Sequence, residues 1–219
     1  MNIDKNKFIS LCYNNAYIKS LGIDYNIMSL EGFLYPDTYI LLNTYNERDI
    51  IKILTKRFMD IYNHHIYPLS SNNKLNLIEI IALASIIQGE AQLVSEMPII
   101  SSVYHNRMNR KMRLEADPTI LYYMDNDDLK KFKKYSGKME ATKIFKKYKK
   151  TKNPYNTYLN YGLPVGPINN PGLKALEAAL NPSLSNGDLL YFVADGTGGH
   201  IFSKTLKEHK RAIRKIRNG

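Results

Sequence analysis

Glu90 is the ionisable residue with the most unusual position in the sequence, and its position indicates acid–base chemistry. It follows Leu83, Ile86 and Ile87 at helical spacing, which places a carboxylate on an apolar face near a predicted helix C-terminus. Gly89 beside it weakens the helix by roughly 1 kcal/mol relative to alanine. Burial raises the pKa of a carboxyl group, which then stays protonated near neutral pH and can donate a proton. The alternative is that the side chain rotates outward and pairs with a lysine.

The other residues capable of chemistry follow no pattern of a metal or nucleophile site. Asp37 and Asp117 stand beside proline and Asp195 in a predicted hairpin turn, where aspartate commonly makes local hydrogen bonds. The five histidines lack metal-ligand spacing, and neither HExxH nor GxSxG occurs, although a Ser-His-Asp triad of other spacing stays open. Cys12 lies in a helical pattern, which predicts a small core residue. The sequence therefore predicts neither a metal nor a cofactor.

The composition of the 219-residue chain indicates a folded protein with a basic surface. It is 44% hydrophobic and 23% charged, with a formal net charge of +11. That charge suits an anionic partner such as nucleic acid, a phospholipid surface or cell-wall polymer, but a solvated lysine-rich surface is the favoured interpretation. No apolar run has the length of a membrane span, residues 1–10 lack a signal-peptide pattern, and the single cysteine excludes an intrachain disulfide.

A very apolar helix is predicted to carry Glu90. It runs from Leu77 to about Leu93, with Asn76 as N-cap and Glu79 completing a capping box. Apolar residues surround most of its circumference, which predicts a central, buried helix. The predicted fold class is therefore α+β, in which further helices and a small antiparallel sheet with a C-terminal hairpin pack around this helix.

The remaining elements are predicted from periodicity and capping signals. Further helices are predicted over about Lys5–Lys19, from the cap Asn46, over Glu96–Arg110 with Ser95 as cap, from Asn170-Pro171 to Leu180, and from about Thr205. Strand signals predict a strand–turn segment over Ser29–Leu42 and a hairpin of Leu189–Ala194 with His200–Ser203. Loops are predicted over Tyr67–Lys74 and Asn153–Pro171.

Residues 125–152 form the charge anomaly of the chain. Three aspartates are followed by many lysines with interleaved aromatic residues. We predict a helical or partly mobile surface insertion rather than core. The lysines between Lys130 and Lys152 could bind nucleic acid, but no recognisable nucleic-acid fold signature accompanies them, and a solvated face is favoured.

Several short segments together resemble one known family. They are Ser29–Tyr39 (SLEGFLYPDTY), Ala84–Glu90 (ASIIQGE), Ser102–Arg107 (SVYHNR), Asp117–Thr119 (DPT), Pro154–Tyr158 (PYNTY), Gly162–Pro164 (GLP), Asn170–Gly172 (NPG), Tyr191–Gly196 (YFVADG) and Gly199–Phe202 (GHIF). In this order they resemble the MltG/YceG family of endolytic murein transglycosylases. The resemblance covers most of the chain from Ser29 to His209 and implies that residues 1–219 are a single YceG-like catalytic domain, with about 125–152 as a lysine-rich insertion.

The resemblance implies a reaction and its catalyst. Glu90 matches the catalytic glutamate of the family, whose members are lyases that cleave the β-1,4 bond between N-acetylmuramic acid and N-acetylglucosamine. The glutamate acts first as general acid toward the glycosidic oxygen and then as base toward the C6 hydroxyl, which leaves a 1,6-anhydromuramyl end. This chemistry requires no water nucleophile, metal or cofactor, in agreement with a sequence that has one unusual glutamate and no evident glycosidase carboxylate pair.

The resemblance also implies a substrate cleft. Tyr35, Tyr39, Tyr155 and Tyr158 would stack on sugars or hydrogen-bond to them. Asn106, Asp117, Asn156, Thr157 and His200 would bind N-acetyl and hydroxyl groups or orient Glu90, and Asp37 belongs to the same set of expected substrate-binding residues. The alternative for each is a hydrogen bond that holds a loop.

The sequence departs from the family pattern in three places. Gln88 stands where many relatives have a second glutamate, which leaves Glu90 as the acid of that motif. The lysine-rich stretch is longer than in familiar relatives. The membrane anchor and LysM-like segment that usually precede the region of Ser29 are not in this sequence, so that location at the extracytoplasmic face of the inner membrane in the cell envelope is implied by resemblance alone.

Peptidoglycan glycan strands are the expected partner, with cell-wall synthases as further partners and no nucleic acid. The alternative to an enzyme is a non-catalytic peptidoglycan-binding or scaffold module of the cell-wall synthesis machinery.

Overall fold

The computed structural model describes residues 3–70 and 74–218, which are mainly helical with one small sheet. The helices are α1 (Lys5–Cys12), α2 (Asn15–Ser20), α3 (Glu47–Ile61), α4 (Tyr67–Ser70), α5 (Leu77–Glu90), α6 (Met97–Asn109), α7 (Asp117–Tyr122), α8 (Asn126–Lys134), α9 (Met139–Lys149), α10 (Leu173–Leu180) and α11 (Leu206–Asn218). Strands β1 (Tyr191–Ala194) and β2 (His200–Ser203) pair antiparallel. The α+β fold class and the C-terminal hairpin are confirmed.

Helix α5 is the central element, as predicted. The Asn76 side chain accepts a hydrogen bond from the backbone N–H of Glu79 at 3.1 Å, and the Glu79 carboxylate accepts one from the N–H of Asn76 at 2.8 Å. This reciprocal box satisfies two backbone donors that a helix start otherwise leaves unpaired. Nine of its residues are buried, and α6 and α10 pack against it. The helix ends at Glu90, three residues before the predicted end.

Two predicted helix starts differ from the structure. Helix α6 begins after a 3-10 turn (Val94–Glu96) with no side-chain cap, so Ser95 is not its N-cap. Helix α10 begins at Leu173 rather than at Asn170-Pro171. The Asn170 side chain instead accepts hydrogen bonds from the backbone N–H groups of Gly32 and Leu34, at 2.8 and 3.1 Å.

The strand–turn prediction for Ser29–Leu42 is wrong, since this segment forms turns and extended chain without a strand partner. Its apolar residues Leu30, Phe33 and Tyr35 are buried in the main core, so packing, rather than strand pairing, explains its composition. Gly32 has φ +87°, and a β-carbon there would lie 2.5 Å from Pro167, which ties this turn to the 153–171 loop.

The N-terminal half differs from the prediction at two further places. The predicted helix over Lys5–Lys19 is two helices, because the Asn14 side chain caps α2 by accepting the N–H of Tyr17 at 2.8 Å. The predicted loop over Tyr67–Lys74 begins with α4, which continues α3 through a π-helical turn (Tyr62–Ile66). Residues 71–73 of that predicted loop lie outside the described residues.

The lysine-rich stretch forms the helical pair α8 and α9, as expected, but it is not purely surface. Tyr148 is buried and joins Ile120 and Met124 in a small cluster separate from the main core. The Tyr148 hydroxyl donates to the carboxylate of Asp125, and Tyr123 donates to the carbonyl of Tyr148 at 2.8 Å. The aromatic residues of the stretch therefore fasten it to α7.

The C-terminal helix α11 packs on both strands of the hairpin. The hairpin register pairs Tyr191 with Ser203 and Ala194 with His200, joined by a turn through Asp195 and Gly199. Across residues 3–70 and 74–218, no helix combines the length and the apolar composition that crossing a membrane requires.

Candidate active site

Glu90 is the last residue of α5, and a hydrogen bond from α6 holds its carboxyl group. The Tyr104 hydroxyl donates to Oε1 of Glu90 at 2.8 Å. Tyr104 is 1% exposed, and the ring of Phe192 from β1 meets it edge-on with 5.9 Å between ring centroids. Two helices and the hairpin thus fix the position of this carboxyl group.

Burial raises the pKa of Glu90 to about 8, because the surrounding protein removes water from the charged form. The hydrogen bond from Tyr104 lowers this pKa, the negative charge of Asp117 raises it, and the backbone N–H of Asp117 and the Arg107 guanidinium lower it. Desolvation is the largest of these effects. Glu90 is therefore mainly protonated near neutral pH, as its position in the sequence predicts.

A cavity of about 400 Å³ opens beside Glu90. It is lined by Glu90, Tyr104, Arg107, Leu114, Glu115, Asp117, Tyr158, Phe192, Val193, Ala194, His200, His209 and Ile213. These residues come from α5, α6, α7, the hairpin and α11, from the segment before α7 and from the 153–171 loop. Of the ten substrate-binding residues expected from the sequence, the cavity brings Asp117, Tyr158 and His200 together with Glu90.

Asp117 and Tyr158 form the wall of the cavity at the start of α7. The Tyr158 hydroxyl donates to Oδ1 of Asp117, and the Lys149 ammonium lies 3.7 Å from the centroid of the Tyr158 ring. Asp117 is open to the cavity, but the protein around it displaces enough water to raise its pKa; the Tyr158 hydrogen bond and the Lys149 charge oppose that rise. A second carboxyl group with a raised pKa therefore faces the same space as Glu90.

The hairpin is attached to α6 by two neighbouring side chains. Asn106 donates to the carbonyl of Leu189 at 2.9 Å, and Nε of Arg107 donates to the carbonyl of Leu190 at 2.7 Å. Arg107 also donates to the carbonyl of Leu114 at 2.7 Å, so one buried guanidinium joins the hairpin to the segment before α7. Asn106 therefore has a positioning role, and its side chain is not part of the cavity lining.

Asn156 and Thr157 are buried and occupied by structural hydrogen bonds. Asn156 is 0% exposed and donates to the carbonyls of Lys149 and Thr151 at 3.1 and 2.9 Å. The Thr157 hydroxyl accepts the backbone N–H of Ala116 at 3.0 Å. They hold the 153–171 loop against the residues around α7, which is the loop-holding alternative that the sequence left open for each of them.

Tyr35, Asp37, Tyr39 and Tyr155 lie outside the cavity lining. Tyr39 donates to the carbonyl of Tyr35 at 2.7 Å, and the Tyr35 hydroxyl accepts the N–H at the start of α10 at 3.2 Å. Asp37 pairs with Arg57 at 2.9 Å, and its pKa is lowered by the backbone N–H of Thr38 and by that arginine. Tyr155 packs on Tyr122, with 4.7 Å between ring centroids. A role for these four in binding more distant parts of a ligand stays a prediction.

Several residues of the site are not predictable from the sequence, because their importance depends on contacts distant in sequence. Tyr104 and Arg107 lie in the Ser102–Arg107 motif, in which the resemblance implies a role for Asn106 alone. Glu96, which contacts His200, lies in none of the quoted motifs. Gln88 accepts the N–H of Gly172 at 3.4 Å, where it supports the loop before α10. In the described part of the chain, no cluster of three or more His, Cys, Asp or Glu could hold a metal ion.

Comparison with known proteins gives the family of the chain. Residues 3–215 match the model of the YceG-like family. The chain is 36% identical over 190 residues to the endolytic murein transglycosylase of Bacillus subtilis (strain 168), which covers 85% of this chain and 48% of that protein. It is 30% identical over 200 residues to the protein of the same name from Streptococcus pneumoniae (strain D39), covering 90% and 33%.

A solved structure agrees with this match. The crystal structure of a yceG-like protein of Listeria monocytogenes superposes with a TM-score of 0.77 at 31% identity, covering 95% of this chain and 66% of that one. The fold and the sequence match together show that the chain belongs to the YceG-like family. The chain spans about half of the Bacillus relative and a third of the Streptococcus relative.

Proposed function

We propose that this chain is the catalytic domain of an endolytic murein transglycosylase, a lyase that cuts peptidoglycan glycan strands. The bond cleaved is the β-1,4 bond between N-acetylmuramic acid and N-acetylglucosamine. The observation that carries the proposal is Glu90, a carboxyl group with a pKa of about 8 on a cavity of about 400 Å³. The family membership of the chain and the names of the Bacillus and Streptococcus relatives support the same activity.

In the first step, protonated Glu90 transfers its proton to the glycosidic oxygen. The bond from that oxygen to C1 of N-acetylmuramic acid breaks, and positive charge develops on the sugar. Tyr104 donates to Oε1, so the proton resides on Oε2, the oxygen that Tyr104 does not engage. A glutamate with a pKa near the working pH suits this task, because it is protonated before the step and gives up its proton readily during it.

In the second step, the Glu90 carboxylate removes the proton from the C6 hydroxyl of the same N-acetylmuramic acid. The C6 oxygen bonds to C1, which closes the 1,6-anhydro ring and restores protonated Glu90. One carboxyl group completes the cycle without a water molecule, and the hydrogen bond from Tyr104 stabilises its charged form between the steps.

The test is digestion of purified sacculi followed by mass spectrometry of the soluble products. We expect fragments with 1,6-anhydromuramyl ends, and we expect Glu90→Gln to lower their rate of formation by about 100-fold or more, since it removes the transferable proton. Glu140→Gln is the matched control, because Glu140 is exposed on α9. Undiminished cleavage by Glu90→Gln would exclude Glu90 from this role. Binding of sacculi without any cleavage by the native chain would favour a non-catalytic peptidoglycan-binding module.

Asp117 favours a second candidate, a hydrolase that acts on the same glycan. Glycosidases usually have a pair of carboxyl groups in one cleft, and Glu90 and Asp117 face the same cavity. In a hydrolase, Asp117 would activate a water molecule. The products distinguish the reactions, because hydrolysis leaves reducing ends and transglycosylation leaves anhydro ends. Asp117→Asn would abolish hydrolysis, whereas a transglycosylase would retain the anhydro product.

Peptidoglycan as substrate implies work in the cell envelope. We therefore propose that the chain acts on glycan strands outside the cytoplasm. Its position at the face of the inner membrane and its association with cell-wall synthases stay predictions from the family resemblance, and cross-linking in cells would test the association.

A further inference from the structure

A mostly buried pair of side chains, Glu96 and His200, lies beside the cavity. Glu96 ends the 3-10 turn before α6, and His200 begins β2, 104 residues later. The Glu96 and His200 side chains are 14% and 7% exposed. His200 belongs to the cavity lining with Glu90, whereas Glu96 contacts the histidine without being part of that lining.

Two contacts fix the orientation of the Glu96 carboxylate. Oε1 accepts the backbone N–H of His200 at 2.9 Å, and Oε2 lies 2.7 Å from Nδ1 of the same residue. A backbone N–H can only donate, so Oε1 is fixed as an acceptor. The carboxylate therefore presents Oε2, also an acceptor, to Nδ1.

The second nitrogen of the ring is left for a ligand. Nε2 makes no hydrogen bond within the described part of the chain. It differs from Nδ1 of His209, which is buried away from solvent without a partner. The Phe192 ring meets the imidazole edge-on, with 5.2 Å between ring centroids, and restricts its rotation. A neutral imidazole that donates from Nδ1 carries its lone pair on Nε2.

We propose that Glu96 is a positioning residue that holds His200 in the Nδ1–H tautomer, so that Nε2 accepts a hydrogen bond from a glycan hydroxyl or amide N–H beside Glu90. The proposal rests on the proposed function for the identity of the ligand. Its two parts, the tautomer and the hydrogen bond to the glycan, are separable by experiment.

A purely structural role predicts a different result. The pair would then only connect the hairpin to the start of α6, and any variant that keeps this connecting hydrogen bond would be fully active. Glu96→Gln keeps the hydrogen bond, because the Gln carbonyl still accepts the His200 backbone N–H. The Gln NH₂ group then faces Nδ1, which becomes the acceptor, and the ring proton moves to Nε2.

His200→Asn provides the complementary variant. The Asn side-chain NH₂ stands close to where Nδ1 was and can still donate to Glu96, whereas nothing replaces Nε2. If positioning is the role of Glu96, the two variants lose the same interaction with the glycan by different routes.

The first measurement is ¹⁵N–¹H long-range correlation NMR of the folded chain labelled at histidine, with His200→Asn assigning the signal. We expect the Nδ1–H tautomer in the native chain and the Nε2–H tautomer in Glu96→Gln. A doubly protonated ring, or the Nε2–H tautomer, in the native chain would overturn the proposal, because Nε2 could then not accept. This readout does not depend on enzymatic activity.

The second measurement is the affinity for soluble, uncross-linked glycan strands in a Glu90→Gln background, with kcat/KM on sacculi in the native background. We expect Glu96→Gln and His200→Asn each to weaken binding and lower kcat/KM by about 10- to 100-fold, the cost of one unpaired buried polar contact. Glu140→Gln is again the control. A switched tautomer with unchanged affinity and kcat/KM would refute the link to the glycan. If the native chain binds strands and shows the Nδ1–H tautomer but cleaves nothing, the proposed function fails and this inference stands.

Discussion

The pKa of Glu90 depends on a balance between two opposing effects of its surroundings. Desolvation favours the protonated acid, and the hydrogen bond from Tyr104 favours the carboxylate. The proposed role, first as acid and then as base, needs both effects, since either alone would move the pKa of Glu90 far from the working pH. Tyr104 is buried and cannot rotate away into solvent, so the balance is built into the packing between α5 and α6.

Tyr104→Phe tests this balance. It removes the donor with little change in shape, so we expect the pKa of Glu90 to rise above about 8 and the alkaline limb of the pH profile of kcat/KM to move upward with it. Tyr123→Phe, directly after the end of α7, removes a comparable hydroxyl that donates to the carbonyl of Tyr148 outside the cavity, and it should leave the profile unchanged. An alkaline limb unmoved in Tyr104→Phe would mean that another group controls it.

Glu90 also predicts how stability depends on pH. Its pKa is about 8 in the folded chain and 4.5 as the ordinary value, so the folded state keeps a proton that the unfolded state releases. This group therefore lowers the free energy of unfolding progressively from about pH 4.5 to about pH 8, and the loss is complete above that range. We expect Glu90→Gln to melt at a higher temperature than the native chain at about pH 9 and at a similar temperature at about pH 5, measured by calorimetry. An equal difference at both pH values would contradict the raised pKa.

At the scale of the elements, the close approach of α5 and α7 determines the geometry of the site. A β-carbon on Gly89 would lie 2.9 Å from Cβ of Pro118, a rigid ring atom in the first turn of α7. The glycine therefore allows α7, with Asp117, to pack directly against the end of the helix that carries Glu90. This packing explains a residue whose only evident effect in the sequence was to weaken the helix.

Gly89→Ala should separate activity from stability. The added methyl group favours the helix by roughly 1 kcal/mol but pushes α7 outward, so we expect little net change in stability and about a tenfold or greater loss of kcat/KM. Gly187→Ala is the matched control, because a β-carbon on Gly187 would lie 3.5 Å from the carbonyl oxygen of Leu184, which is an ordinary van der Waals contact. Native activity in Gly89→Ala would show that the spacing of α5 and α7 is not critical.

At the scale of the whole molecule, the net charge is +11, and some of the basic residues lie beside the cavity. Lys149 stacks on the cavity residue Tyr158, and the basic helix α11 contributes His209 and Ile213 to the lining. Stem peptides of peptidoglycan carry carboxylates, so a basic surface next to the cleft would attract the polymer from a distance.

The prediction at this scale concerns salt. Raising ionic strength from about 50 to about 300 mM shortens the range of electrostatic attraction, so sacculus binding should weaken. Replacing Lys143, Lys146 and Lys150 of the α9 region by Gln should reduce this salt dependence. Replacing Lys19, Lys52 and Lys56 on α2 and α3 is the control with the same charge change, and a similar effect of both triple variants in sedimentation assays would indicate net charge alone.

The sequence by itself determined the elements whose signals are local. Asn76, Glu79 and the apolar residues of α5 lie within one helix, so capping and periodicity gave its start, its burial and the unusual position of Glu90. The hairpin and α11 were predictable for the same reason. Where a residue had a stronger distant partner, local reasoning failed: Asn170 binds the turn at Gly32 instead of capping α10, and the apolar residues of Ser29–Leu42 pack in the core without strand pairing.

Only the tertiary structure decided what surrounds Glu90. Tyr104 contacts it from a second helix, and the close approach of Gly89 to Pro118 brings Asp117 to the same cavity. His200 lines that cavity too, held by Glu96, which lies 104 residues earlier in the chain. The same structure left Asn156 and Thr157 with loop-holding hydrogen bonds, although their motif suggested a cleft. The physical reason is that a pKa, a tautomer and a cavity arise from groups that folding brings together. A sequence can indicate an unusually placed carboxyl group such as Glu90, whereas its environment exists only once the helices and the hairpin have packed.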